Sequence, residues 1–410
     1  MSNAPAENGP VVIVGAGQAG FSVAAKLRDL GHSGRITLVG AEPHPPYQRP
    51  PLSKGYLLGD LTEERLYLRP SAFYAQKAIE LQTGTEVEAI DRDRREARLS
   101  DGSVLSYGHP VLATGSRPRL LPPDQGGDLD GIYYLRSIAD IKKLAQEFVA
   151  GRRVIIVGGG YIGLEAAAVS AKLGLRVTLI ESAPRILQRV ASAHTASFFR
   201  DLHQSHGVEI LEGIGLAHLA GREGRVTDAV LTDGRNLPAD FVIVGISIHP
   251  NAELAEMAGL DTENGIKVDA LCQTTDPAIL AAGDCASFPW RGRRIRLESV
   301  GNAVEQGEAV AKTIVGQPHE YHAEPWFWSD QFDCKLQIAG LSGDYDCAVT
   351  RQVSESSLSV WYYRRDELLA VDAINQPGAY MVGKRLIARG KSPDQVKVGD
   401  AGFELKSLLA

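Results

Sequence analysis

Cysteine is scarce in this chain, and what there is comes late. Four occur in 410 residues, Cys272, Cys285, Cys334 and Cys347, and none forms a Cys-x-x-Cys pair. A redox disulfide in the N-terminal half is therefore excluded, and the four read as buried small hydrophobes in a reducing compartment. Long apolar runs are missing too: nothing approaches the about 18 residues that suggest a membrane span. The opening MSNAPAENGP is polar and lacks the apolar centre of a signal peptide. The cytoplasm is the expected location, with no membrane partner. Positive charge is not in excess, since 43 Lys and Arg stand against 50 Asp and Glu for a net charge of −7. That balance argues against nucleic-acid binding but leaves room for a local basic patch facing an acidic protein. The histidine pairs His203/His206 and His319/His322 lack the surrounding ligand set that a metal needs, so no metal is expected.

What is present is glycine in a particular order. A strand-like Val11–Val14 runs into Gly15-Ala-Gly17-Gln-Ala-Gly20 and then a helical stretch to about Leu30. In this strand–turn–helix setting the first glycine permits the tight turn. The second lets backbone approach a pyrophosphate, and the third allows close helix–strand packing. A second strand, ITLVG (36–40), leads to Glu42, well placed to bind a ribose hydroxyl. The pattern repeats in RRVIIVGGGYIGLEAAAVSAKLGLRVTLIES, with Gly158, Gly160 and Gly163, a helix to about Leu173, and a strand ending at Glu181. An acid there accepts from a ribose 2′-OH and repels a 2′-phosphate, which favours NADH. Arg185 and Arg189 lie close by and are read either as pyrophosphate contacts or as solvent-facing. Two complete fingerprints imply two bound dinucleotides, a resident flavin and a visiting nicotinamide.

The rest of the chain is organised around these units. ARLSDGSVLSYGHPVLATGS (97–116) reads as strand and ends in the small turn Ala113-Thr114-Gly115. FVIVGISIHPN (241–251) reads as a strand crossing back, TTDPAILAAGDCASF (274–288) as a short strand ending at Gly283-Asp284, and Glu298–Ile314 as a helix. PWFWSDQFDCKLQIAGL and SLSVWYYRRDELLAVDAIN have the alternation of an antiparallel sheet, followed by a helical tail. The expected fold is α/β. It comprises two Rossmann-like dinucleotide-binding domains of the glutathione-reductase kind and a C-terminal α+β domain with an antiparallel sheet. The expected domains are 9–117 with 244–322 for FAD, 118–243 for NADH, and 323–410.

One segment is unusual for such a protein. PHPPYQRPPLSKGYL (43–57) carries five prolines together with Arg49 and Lys54 where a plain loop is expected. Together with VLATGS (111–116), VGGGYIGLE (157–165), RLESVGNAVEQG (296–307) and PWFWSDQ (325–331), it resembles NADH-dependent ferredoxin reductases. These form the putidaredoxin reductase and aromatic-ring dioxygenase ferredoxin reductase family. The resemblance spans nearly the whole chain. It implies non-covalent FAD in the first domain, NADH in the second, and a two-iron two-sulfur ferredoxin partner that feeds a haem monooxygenase or ring-hydroxylating dioxygenase. By matching position it implies FAD contacts from Gly15, Gly17, Gly20, Glu42, Arg49, Lys54, Ala113, Thr114, Gly115, Asp284, Val300 and Trp328. NADH contacts would come from Gly158, Gly160, Gly163, Glu181, Arg185 and Arg189. Lys54 would stand near the reactive flavin edge with Glu165 as its partner, Trp328 would sit near the isoalloxazine, and Tyr161 would cover the flavin face until nicotinamide replaces it.

The proposed pair has its own physical logic. An ammonium fixed near the flavin stabilises the charge that hydride arrival creates. Buried alone it would tend to lose its proton, so a carboxylate is needed beside it. Two departures from the family pattern stand out. Ala41 replaces an acid before Glu42, and Ser247 replaces the second glycine of the crossing segment, for which a modest backbone adjustment is expected. Two basic runs are candidates for steering an acidic ferredoxin: Arg291, Arg293, Arg294 and Arg296, or Lys384, Arg385 and Lys391. A disulfide reductase would require paired cysteines after the first unit's second strand, and none are present there. An NADH–rubredoxin reductase shares the same motifs. An NADH-responsive flavoprotein of the apoptosis-inducing-factor kind is a further alternative.

Overall fold

The computed structural model describes residues 8–410, and these fall into two compact units. One comprises the residues up to Gln48, Glu63–Arg117 and Ile248–Pro325; the other comprises Arg49–Thr62, Pro118–Ser247 and Trp326–Ala410.

The first unit is built on a parallel sheet in the order Leu280–Ala281, His109–Leu112, Val11–Val14, Ile36–Gly40, Ile79–Thr83. Every residue of the VVIV and ITLVG strands is buried. Unbroken apolar runs of this kind suit strands covered on both faces. The helix Gln18–Asp29 packs against the helix Val300–Ile314, and the contact is close enough to demand a glycine. A Cβ on Gly307 would lie 2.9 Å from the Ala19 carbonyl oxygen. Ser299 caps the second of these helices by accepting from the Asn302 amide. The strand-like stretch 97–116 holds several strands: Glu96–Leu99 and Val104–Ser106 form a small antiparallel sheet with Val87–Asp91, and His109–Leu112 joins the parallel sheet.

In the second unit the parallel sheet runs Glu209–Glu212, Arg176–Glu181, Arg153–Val157, Phe241–Val244, Ile132–Tyr133. In both parallel sheets the strand that feeds the glycine turn lies between its successor and a strand returning from later in the chain. Strand order therefore reverses beside the turn, at the crevice where such sheets bind nucleotides. The C-terminal part of this unit is a five-stranded antiparallel sheet, ordered Trp326–Gln331, Cys334–Gly340, Glu367–Ile374, Ser357–Arg364, Cys347–Ser354. The helix Pro377–Ala388 lies on that sheet so closely that a Cβ on Gly383 would be 2.6 Å from Val371. Trp361 and Tyr363 are fully buried beneath it.

The crossing segment differs from the single strand expected over 241–251. Phe241–Val244 and Ile248–Pro250 are separate strands, and Ser247 between them has φ 134°. The physical reason lies in the glycine turn next to it. The Gly245 carbonyl oxygen sits 2.4 Å from where a Cβ on Gly158 would be, so the path of this backbone is set by close packing. The chain keeps a conformation natural to glycine and Ser247 carries the strain. Restoring glycine with Ser247→Gly should relieve more energy than the added flexibility of the unfolded chain costs. The apparent thermal midpoint should rise by about 2 °C in differential scanning calorimetry; an unchanged or lower midpoint would show that Ser247 is unstrained.

Candidate functional site

The two glycine turns are built alike. Gly15 has φ 113° and Gly158 φ 107°, and a Cβ on either would strike a neighbouring carbonyl oxygen, that of Ala113 at 2.1 Å or Gly245 at 2.4 Å. Gly20 and Gly163 are equally constrained, each 2.0 Å by the same measure from the oxygen of the turn's first glycine. The middle glycines behave differently. A Cβ on Gly17 or Gly160 would meet nothing within 4 Å, so protein packing does not explain why either is glycine. Each is also the N-cap of its helix and makes no side-chain capping bond. Open space above uncapped helical N–H groups is what a pyrophosphate needs. Both turns thus fit a dinucleotide.

Around the first turn, Thr114 and Asn251 are doubly latched. The Thr114 hydroxyl donates to the Asn251 carbonyl at 2.6 Å, and the Asn251 amide donates back at 2.9 Å. This holds Ala113-Thr114-Gly115 in place against Gly15. The Glu42 carboxylate accepts from the Tyr47 hydroxyl at 2.6 Å. Asp284 accepts from the Ser116 hydroxyl at 2.9 Å, and the preceding Gly283 amide donates to Gln306 at 2.8 Å. Val300 is the first residue of its helix.

Around the second turn, Glu181 accepts from the Gly159 amide and from the Ala183 amide, each at 2.7 Å. The carboxylate therefore ties the strand tip to the glycine loop. Arg185 turns away from solvent and donates to the carbonyls of Ile186, Ala191 and Ser192. Arg189 is exposed.

The proline-rich arm ends in a short 3₁₀ turn, Pro50–Ser53, and Lys54 follows it. The Lys54 ammonium stands 2.9 Å from Glu165 Oε1, and the Glu165 side chain is only 4% exposed. Ser53 donates to Oε2 and Ser329 to Oε1, each at 2.6 Å. Burial pushes the Glu165 carboxyl above the usual carboxylate range, against the pull of Lys54 and the two hydroxyls. The pairing has a simple geometric origin. Tyr161 and Glu165 are one turn apart on the helix Tyr161–Lys172, and Phe327 and Ser329 are alternate residues of the strand Trp326–Gln331. The two spacings nearly match, so Tyr161 meets Phe327 at 4.8 Å between ring centroids while Glu165 meets Ser329. The Tyr161 hydroxyl is buried without a hydrogen-bond partner. Burial, with Asp372 and Tyr362 adding to it, raises its pKa well above the ordinary value. On the other face of the strand Trp328 stacks on Trp326 at 5.6 Å and lies under the Lys54 ammonium at 5.9 Å. Arg49, also on the arm, donates to the Arg136 carbonyl at 2.6 Å.

The first basic run is partly structural. Arg294 holds the carbonyls of Val268 and Ser287, and Arg296 holds that of Asp284; Arg291 and Arg293, both exposed, lie over Trp290. In the second run Arg385 and Lys391 are exposed, and Lys384 lies 5.3 Å above Trp326. Three of the four cysteines are buried, and burial pushes the Cys272 thiol up to about 12. Among the described residues no group of three or more His, Cys, Asp or Glu could hold a metal, and no helix is long and apolar enough to cross a membrane. Ser53, Ser329 and Gln331 surround Glu165 but carry no reading in the sequence, and His203, which contacts Gln331, reads there only as half of a histidine pair unsuited to a metal. The alternation within WFWSDQ is the one local signal for Ser329 and Gln331, placing them on a face shared with Phe327.

Residues 9–307 match the family model for pyridine nucleotide-disulphide oxidoreductases, and 326–409 match a reductase C-terminal model. The chain is 42% identical over 410 residues to putidaredoxin reductase CamA of Pseudomonas putida, covering 98% of this chain and 97% of that protein. It is 39% identical to a rubredoxin-NAD(+) reductase of Pseudomonas putida, covering 90% and 96%. The solved structure of a covalent putidaredoxin reductase–putidaredoxin complex superposes with a TM-score of 0.95 at 42% identity, covering 98% of each chain. The fold, two dinucleotide turns of one design and the full-length similarity agree: this chain belongs to the pyridine nucleotide-disulphide oxidoreductase family, among its ferredoxin reductases.

Proposed function

We propose that this chain is an FAD-containing NADH:ferredoxin oxidoreductase. It would deliver electrons to a two-iron two-sulfur ferredoxin that feeds a haem monooxygenase or ring-hydroxylating dioxygenase. The observation that carries this reading is the Lys54–Glu165 pair. Its lysine stands on the arm after the first unit's second strand, where a disulfide reductase would require cysteines. A bound flavin supplies the conversion of a two-electron hydride donor into single-electron delivery. The residues Gly15, Gly17, Gly20, Glu42, Ala113, Thr114, Gly115, Asp284 and Val300 would hold it, with Arg49 and Trp328 as further contacts. Lys54 would place a positive charge near its reactive edge, and Glu165 holds that lysine in position. Gly158, Gly160, Gly163 and Glu181 would hold the nicotinamide nucleotide. Preference for NADH is supported by the Glu181 carboxylate at the strand tip and by Arg185, whose guanidinium is committed to backbone carbonyls rather than free for a 2′-phosphate. Lys384, Arg385 and Lys391 suit an acidic ferredoxin better than the first basic run, because Lys384 lies over the Trp326–Trp328 stack and Arg385 and Lys391 are exposed.

The similarity to a rubredoxin reductase favours a second reading, in which rubredoxin is the acceptor. Purified protein should show flavin absorbance and reduce two-iron two-sulfur ferredoxins faster with NADH than with NADPH. Absence of flavin would end both readings, and efficient turnover with rubredoxin alone would select the second. Lys54→Met should slow flavin reduction by NADH on the order of 100-fold in stopped-flow while FAD occupancy is retained; an unchanged rate would remove its electrostatic role. The glycine geometry separates fold from binding. Gly17→Ala should leave the apoprotein's thermal midpoint unchanged and lower FAD occupancy at least about tenfold, whereas Gly20→Ala should destabilise the apoprotein itself. Equal effects of the two on apoprotein melting would refute the assignment of Gly17 to the ligand.

A further inference from the structure

The Glu165 carboxylate is held from a third side by residues that neither glycine fingerprint contains. Its partner Ser329 accepts in turn from Gln331 Nε2 at 3.1 Å, and Gln331 Oε1 lies 2.9 Å from His203 Nε2. Every member is buried: Ser329 and His203 are 0% exposed, Gln331 1% and Glu165 3%. They come from three separate elements, the strand Trp326–Gln331 and the helices Ala193–Ser205 and Tyr161–Lys172.

The direction of each hydrogen bond follows from chemistry. An ionised carboxylate only accepts, so the single Ser329 proton must go to Glu165. Ser329 must then receive a proton from Gln331, which turns the Gln331 amide nitrogen toward the serine and its carbonyl toward the histidine. That carbonyl only accepts, so His203 carries its proton on Nε2. Each bond therefore points its donor toward Glu165. Burial pushes His203 down to about 4, so the ring stays neutral at ordinary pH and adds no charge to the chain. Its Nδ1 is buried without a partner, which ends the chain there.

Resting on the reading of Lys54 given above, we infer that His203, Gln331 and Ser329 are positioning residues for hydride transfer, a one-way donor chain that keeps Glu165 ionised and thereby holds the Lys54 ammonium in place. A desolvated carboxylate facing a single cation is prone to take a proton. Neutral donors oppose that without introducing a second charge, and their alignment reinforces each bond. The surrounding charges leave this task to the chain. Lys54 is the cation acting on Glu165, and from the neighbouring helix His206 stacks on Phe332 and bears on His203. On Glu165's own helix Lys172 is engaged with the Phe332 carbonyl, and Tyr161 is influenced by Asp372 and Tyr362 of the sheet.

Hydrogen bonds to the anion lower its pKa, so removing them raises it. In the FAD-loaded protein, infrared difference spectra over a pH titration would follow the protonated carboxyl band that Glu165→Gln abolishes. Ser329→Ala should move its midpoint up by about one pH unit. The nearly isosteric Gln331→Met should move it the same way by less, and it decides the question should Ser329→Ala fail to fold. The acid limb of flavin reduction by NADH should shift with the band. An unmoved band midpoint in the folded variants overturns the inference. A normal reduction rate in Lys54→Met beside a shifted band would instead overturn the role of Lys54 and leave the donor chain standing.

Discussion

A carboxylate buried almost completely inside a protein must be compensated, and much of the second unit is arranged around that requirement. Glu165 gathers Lys54 and Ser53 from the arm and Ser329 from the C-terminal sheet. Segments more than a hundred residues apart in sequence therefore converge on one side chain. Removing one partner of such a pair typically costs about 3–5 kcal/mol, because the other is left charged and unpaired. The same interaction that places an ammonium also staples the arm and the C-terminal strand to the helix of the second glycine turn.

The second governing constraint is backbone proximity at the two glycine turns. Gly15 and Gly158 press against carbonyl oxygens of Ala113 and Gly245, while Gly17 and Gly160 face open space. The first pair serves the fold and the second serves a ligand. Ser247 shows how far the constraint reaches. The segment that packs on Gly158 carries a serine at a glycine-like φ. Close packing leaves no cheap way to relax it.

Aromatic residues of the C-terminal sheet divide by face. Phe327 turns toward Tyr161, and Trp328 and Trp326 turn toward Lys54 and Lys384. One strand thus contributes to a polar interior through Ser329 and Gln331 and to a cationic, aromatic surface through its alternate positions. Strand periodicity makes both possible in six residues.

The chain alone made a good deal legible. The strands Val11–Val14 and Ile36–Gly40 have the expected ends, and the helices after both glycine turns run close to their expected lengths. Apolar runs, glycine spacing and the antiparallel alternation after residue 325 are local signals, so local physics suffices to read them. The lack of early cysteines and the proline-rich arm likewise pointed to one kind of flavoenzyme. What remained hidden was every relation that depends on distant segments meeting. Nothing near Ser329 marks it as a donor to Glu165, and the spacing of His203 and His206 suggested only a metal pair to be set aside. Arg294 and Arg296 read as a basic run, though packing commits both to backbone carbonyls. Hydrogen-bond direction, burial and the strain at Ser247 are properties of neighbours in space, and only the tertiary structure decides who those neighbours are.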